Sequence, residues 1–146
     1  MQIGEVMSRN FTRVALGTTM REAAEILSHT WVSELMVIDD VGEFVGVLAE
    51  GDMIRAIMPR FEDMMLSSGT LYEAFGMMMD NGHEKANHAI DEIVIRNPIT
   101  VSPSSDVVKA AATMVSDKID RLPVVDDGKL VGTISRADIC HAVLVL

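Results

Sequence analysis

Cysteine is almost missing from this sequence. Cys140 is the one thiol in 146 residues, so no internal disulfide can form and the fold must hold by packing. Aromatic residues make up 4%. The interior must therefore come from Val, Ile, Leu and Ala, with 12 Met residues as adaptable fillers of core gaps and contact surfaces. Positive charge is short as well: 12 Lys+Arg stand against 22 Asp+Glu, a net charge of −10. A chain of that sign is repelled by nucleic-acid phosphates and by anionic lipid, which argues against both as partners. No apolar run approaches the roughly 20 residues of a membrane span. The opening Met1-Gln2-Ile3-Gly4-Glu5-Val6 has neither a basic flank nor an apolar signal segment. With a lone cysteine, that points to a reducing, cytoplasmic setting. Hydrophobic residues nevertheless reach 49%, too many for a disordered chain and enough for a true core.

What the sequence does have is a copy of itself. Glu5-Val6-Met7-Ser8-Arg9-Asn10 aligns with Glu92-Ile93-Val94-Ile95-Arg96-Asn97, and Leu35-Met36-Val37-Ile38-Asp39-Asp40 with Leu122-Pro123-Val124-Val125-Asp126-Asp127. Gly42-Glu43-Phe44-Val45-Gly46 then matches Gly128-Lys129-Leu130-Val131-Gly132, and Gly51-Asp52-Met53-Ile54 matches Ala137-Asp138-Ile139-Cys140. Four blocks in one order are the mark of a duplicated unit.

Each copy reads β-α-β-β-α, an α+β arrangement. Short strands are expected at Arg13–Ala15 and Thr100–Ser102. Helices follow, one opened by the capping box Thr19-Met20-Arg21-Glu22 and one starting near Ser104–Asp106. Hairpins come next, Leu35–Ile38 with Phe44–Leu48 and Leu122–Val125 with Leu130–Ile134, turned by Asp-Asp-Val-Gly and Asp-Asp-Gly. Closing helices run over Asp52–Met58 and Arg136–Leu144. The units are residues 1–58 and 91–146, with a helical insertion at 59–90. In the insertion, Thr70-Leu71-Tyr72-Glu73 caps a helix whose apolar face is Leu71, Ala74, Phe75 and Met78. Asn81-Gly82 is expected to end it, and a second short helix to cover His83–Ile90. These helices would pack on the core, on a second subunit, or over a ligand.

The duplicated unit, with Leu122-Pro123-Val124-Val125-Asp126-Asp127-Gly128 and Gly132-Thr133-Ile134-Ser135-Arg136-Ala137-Asp138, resembles a tandem pair of cystathionine-β-synthase (CBS) domains. The resemblance covers nearly everything outside the insertion. It implies a regulatory module rather than a catalyst, with repeats about a pseudo-twofold axis and two clefts that commonly bind adenosine-containing ligands. It also implies that two such pairs associate as a homodimer. The expected ligand is AMP, ADP or ATP, with S-adenosylmethionine as a variant and a ligand-free scaffold as the competing reading.

The family pattern Gly-hydrophobic-hydrophobic-Ser/Thr-x-x-Asp maps onto Gly132, Ser135 and Asp138. A carboxylate there can accept from both ribose hydroxyls, beside the free N–H groups of a helix start. Ser-x-x-Asp is equally an ordinary helix cap. The resemblance further puts Thr100 beside the adenine edge and Arg121, Leu122 and Pro123 along the base or ribose. Arg121 and Arg136 are phosphate candidates or plain surface charges. The first copy departs from the pattern. Ala49 replaces the hydroxyl, Glu50 stands where Arg136 does, and Arg13 and Met36 replace Thr100 and Pro123, leaving Asp52 as the possible ribose holder of the other cleft. Arg13 could also reach across. The cleft of Asp138 is the stronger candidate.

Catalytic motifs find no footing. His83 and His88 lie five residues apart, roughly 140° around a helix, so they cannot form the paired-histidine metal motif. There is no Gly-x-Ser-x-Gly elbow and no Walker phosphate loop. No metal site or catalytic residue is expected.

Overall fold

A computed structural model describes residues 1–66 and 69–146. Its order is α1 (Ile3–Val6), β1 (Arg13–Ala15), α2 (Met20–Thr30), β2 (Glu34–Ile38), β3 (Phe44–Ala49), α3 (Glu50–Ile57), α4 (Phe61–Leu66), α5 (Leu71–Lys85), a 3-10 turn at Ile90–Glu92, α6 (Val107–Ser116), β4 (Arg121–Asp126), β5 (Lys129–Ser135) and α7 (Arg136–Leu144). The expected α+β duplication is what the chain adopts.

In the first repeat β1 pairs parallel with β2, and β2 antiparallel with β3. Leu35 and Val37 point into a core with Val14, Met20, Ala23, Leu27 and Leu48. Strand alternation then turns Glu34 and Met36 to the opposite face. The second repeat repeats the scheme: β4 and β5 pair antiparallel, and Leu122, Val124 and Ile134 bury against Val107, Ala110 and Met114. Asp127 and Gly128 both take positive φ, 51° and 76°, in the two-residue hairpin loop. That is the twist-matched turn favoured by Asp-Gly. Thr19 accepts from the Glu22 amide at the start of α2, and Asp106 from the Val108 amide at the start of α6.

The strand expected at Thr100–Ser102 shrinks to one residue, Val101, bridging parallel to Val124. Pro98 and Pro103 flank it closely and cannot donate to a ladder. The insertion also differs from expectation. Asn81-Gly82 does not stop α5, which runs on to Lys85. Asn81 Nδ2 donates to the Ile57 carbonyl at 3.1 Å and Lys85 Nζ to the Ala56 carbonyl at 2.7 Å, so the end of α5 caps α3 instead of breaking. No separate helix spans 83–90; a turn leads into the 3-10 segment. The short α4 was not expected.

The two repeats exchange a segment. Ile3 of α1 is buried in the second repeat's core, and Ser8 bridges Thr133 on β5. Reciprocally, Ile90 and Val94 lie in the first repeat's core, and Ile95 bridges Val47 on β3. Ser8 and Ile95 are equivalent in the duplication, as are Thr133 and Val47, so the crossings obey the pseudo-twofold. Gly46 and Gly132 make them possible. A Cβ on Gly132 would stand 2.8 Å from both the Met7 sulfur and the Ser8 carbonyl oxygen, and one on Gly46 would collide with the Ile95 carbonyl.

Candidate functional site

The first turn of α7 carries Asp138. Ser135 caps this helix: its Oγ accepts from the Asp138 amide at 3.1 Å, while Asp138 Oδ2 accepts from the Ser135 amide at 2.8 Å. The helix-cap reading of Ser-x-x-Asp is therefore realised in full. It uses only one carboxylate oxygen. Among the described residues Oδ1 accepts no hydrogen bond. Asp138 stands at the wall of a recess of about 140 Å³ lined also by Ser8, Asn10, Phe11, Thr12, Val32, Glu34, Met36, Arg121 and Thr133.

This recess lies between the repeats. Asp138, Arg121 and Thr133 come from the second; the other seven come from the first. Arg121 and Met36 thus meet at Asp138, although the sequence comparison assigned them to different clefts. Thr100, Leu122 and Pro123 are not in its lining. Thr100 is exposed, Leu122 belongs to the second core, and Pro123 is buried. The missed lining residues Ser8, Asn10, Phe11 and Thr12 fall in or just beyond the repeated block at 5–10. Their repetition was visible, but only the exchanged segment shows which repeat they face. Arg13 stays out of the lining, with its guanidinium 4.9 Å above the Phe11 ring, a cation–π contact that fixes the ring.

Arg136 is engaged elsewhere. Its Nε donates to the Ile119 carbonyl and its Nη2 to the Met114 carbonyl, both at 3.0 Å, and Asp120 is 3.5 Å away. It ties α7 to the C-terminal end of α6. Arg121 Nη1 donates to Thr133 Oγ1 at 2.7 Å. Glu34, also in the lining, is half-buried, and its Oε1, closed off from solvent, has no hydrogen-bond partner among the described residues. Burial pushes the Glu34 carboxyl up to about 7, with Arg121 pulling it down and Asp120 adding to the rise.

The corresponding carboxylate of the first repeat is in another state. Asp52 Oδ2 accepts from the Ala49 amide at 2.8 Å, and Oδ1 is ion-paired with Arg55. Both oxygens are spent. Ala49 offers no hydroxyl to share the cap, which leaves Asp52 to hold the helix start alone.

Two interlocked repeats of one βαββα plan enclose a mixed polar and apolar recess between them, the architecture of a tandem domain pair. The family model "CBS domain" matches residues 3–59 and 90–145, most of the chain, and the protein belongs to that family. CBS domain-containing protein CBSX2, chloroplastic, of Arabidopsis thaliana is 27% identical over 150 residues, 97% of this chain and 63% of its own length. The chain thus spans less than two thirds of that relative. A crystal structure of CBSX2 in complex with AMP superposes with a TM-score of 0.75 over 98% of this chain and 96% of that one, at 27% identity. The CBS domain pair of protein MJ0100, crystallised with 5′-methylthioadenosine and S-adenosyl-L-methionine, shares the fold with a TM-score of 0.67 over 97% of this chain and 94% of that one, at 22% identity. Among the described residues no helix is long and apolar enough to cross a membrane, and no cluster of metal-ligating side chains is present.

Proposed function

We propose that this chain is a regulatory module, not a catalyst, that binds an adenosine-containing small molecule in the recess beside Asp138. Occupancy is passed on through its own homodimer or a protein partner. One observation carries the reading: Asp138, a residue of the inter-repeat recess wall, has one oxygen locked by the Ser135 amide and the other without a hydrogen bond among the described residues. Such an oxygen is held still and positioned to accept from ribose hydroxyls. Phe11, Val32 and Met36 give the recess an apolar side for a base. The relative CBSX2, crystallised with AMP, supports the ligand class. At about 140 Å³ the recess is smaller than the clefts of roughly 300–1,000 Å³ that enclose whole drug-sized ligands, so part of the nucleoside lies across its mouth.

By the pseudo-twofold, Pro123 and residues 97–99 stand to Asp52 as Met36 and Asn10–Thr12 stand to Asp138, with Thr100 just beyond them as Arg13 is just beyond Thr12. They are the candidates for the other cleft, which is the weaker one because Asp52 is already bonded. The reading places the protein in the cytoplasm, where the exposed thiol of Cys140 stays reduced.

A thermal-shift series with adenosine, AMP, ATP and S-adenosylmethionine tests the function, because a ligand that binds only the folded state raises its melting temperature. At least one should do so at millimolar concentration. No shift from any of the four would favour a ligand-free scaffold.

A further inference from the structure

Glu34 and Arg121 occupy the same position in the two repeats, each opening the strand that precedes the hairpin turn. The duplication therefore sets opposite charges on the two sides of the Asp138 recess. The pair does not close on itself: Arg121 Nη1 goes to Thr133 Oγ1, and Glu34 Oε1 is buried with no hydrogen-bond partner among the described residues. Among the described residues of the lining Arg121 is the one cation, against the carboxyls of Glu34 and Asp138. Arg136, the other phosphate candidate, is held by two carbonyls. With both carboxylates ionised the lining carries net negative charge. A phosphate brought in would meet one arginine and two acids, whereas a hydrogen-bond donor or a cation would be drawn to the carboxylates of Glu34 and Asp138. Like charges brought together in a partly dry recess are strongly disfavoured.

The polar residues Glu34, Arg121 and Thr133 share the recess with Asp138, while Phe11, Val32 and Met36 form its apolar part. We propose that a nucleoside here sets its ribose on Asp138 and turns its 5′ substituent toward Glu34. Glu34 is then the specificity-determining residue of this cleft, selecting adenosine compounds whose 5′ end is uncharged or cationic, a nucleoside or an adenosyl sulfonium, over those bearing a 5′-phosphate. The proposal rests on the adenosine reading above and narrows it to a ligand class.

Titration calorimetry at pH 8 tests it, a pH at which the Glu34 carboxyl, pushed up to about 7, is mostly ionised. The probes are adenosine, S-adenosylmethionine and AMP, against the unaltered protein and Glu34→Gln, which keeps the side-chain shape. The unaltered protein should bind adenosine or S-adenosylmethionine at least about tenfold more tightly than AMP. Glu34→Gln should improve AMP binding about tenfold and change adenosine binding less than about threefold. AMP binding as tight as adenosine binding in the unaltered protein overturns the proposal and leaves the adenosine reading standing. So does a Glu34→Gln protein with an unchanged AMP-to-adenosine ratio. Failure of all three probes to bind the unaltered protein overturns both.

Discussion

Glu34 costs the protein stability at neutral and alkaline pH. Its ordinary carboxyl value of 4.5 rises to about 7 in the fold, chiefly through burial. Between those values the native state holds a proton that the unfolded chain has released, so stability falls as pH rises through this window. Below pH 4.5 the group is protonated in both states and the penalty is absent. Glu34→Gln, always neutral, should therefore be more stable than the unaltered protein at pH 8, by at most about 3 kcal/mol, with the gap closing toward pH 5. Denaturant unfolding at the two pH values measures it; a gap of equal size at both would show that the carboxyl does not titrate in this window. The sequence announced Asp138 and Ser135 through their motif but gave no hint of Glu34. A Glu at a strand start is usually solvated, and its neighbours Arg121 and Thr133 lie about ninety positions away. The contacts of Arg136 were hidden for a similar reason, since carbonyls of a helix end leave no mark in the sequence as acceptors for a guanidinium.

At the scale of elements, the repeated glycines of the Gly46 and Gly132 blocks were legible as repetition, and their purpose emerges only with the crossing segments. The backbone at Met7–Ser8 runs so close to β5 that a Cβ on Gly132 has 2.8 Å to the Ser8 carbonyl oxygen. Gly132→Ala should cost about 1–3 kcal/mol, the usual range for overpacking a tight site. Gly76, inside α5, is a matched control: a Cβ there meets nothing within 4 Å. Gly76→Ala should instead stabilise by about 0.5–1 kcal/mol through helix propensity and a less flexible unfolded chain. Melting temperatures of the two variants should move in opposite directions, and a neutral Gly132→Ala would refute the close-crossing account. Strand and helix periodicity located β1 to β5 and α2, α3, α5, α6 and α7, and left the short α1 and α4 unread. It failed where tertiary partners decide the outcome: at Thr100–Ser102, reduced to a bridge between prolines, and at Asn81-Gly82, where the Asn amide serves the end of α3 instead of ending its own helix.

Over the whole molecule, the duplication made the fold readable, while the exchange of end segments hid the site. A comparison of the halves pairs equivalent residues but does not say that Asp138 of one repeat looks onto residues 8–12 of the other. The same view shows large apolar side chains left uncovered: Phe61, Met65, Leu71, Tyr72 and Phe75 on the insertion, and Val143 and Leu144 on α7. Uncovered apolar area of this kind marks an interface. Light scattering should accordingly give about twice the chain mass of 15.9 kDa at micromolar concentration, and a monomer mass would remove the homodimer from the account.

The central claim is that the two equivalent aspartates have parted ways, Asp52 spent on its own helix and Asp138 left with an oxygen for a ligand. Asn at either position can still accept from the helix-start amide, so folding is largely preserved while the carboxylate is lost. The decisive measurement is a calorimetric titration of the tightest-binding adenosine compound into Asp138→Asn and Asp52→Asn. Asp138→Asn should weaken binding roughly ten- to a hundredfold, the worth of about 1.5–3 kcal/mol of hydrogen bonds to a charged group, and Asp52→Asn should leave it within about twofold. Equal losses from both variants, or a loss from Asp52→Asn alone, would contradict the account.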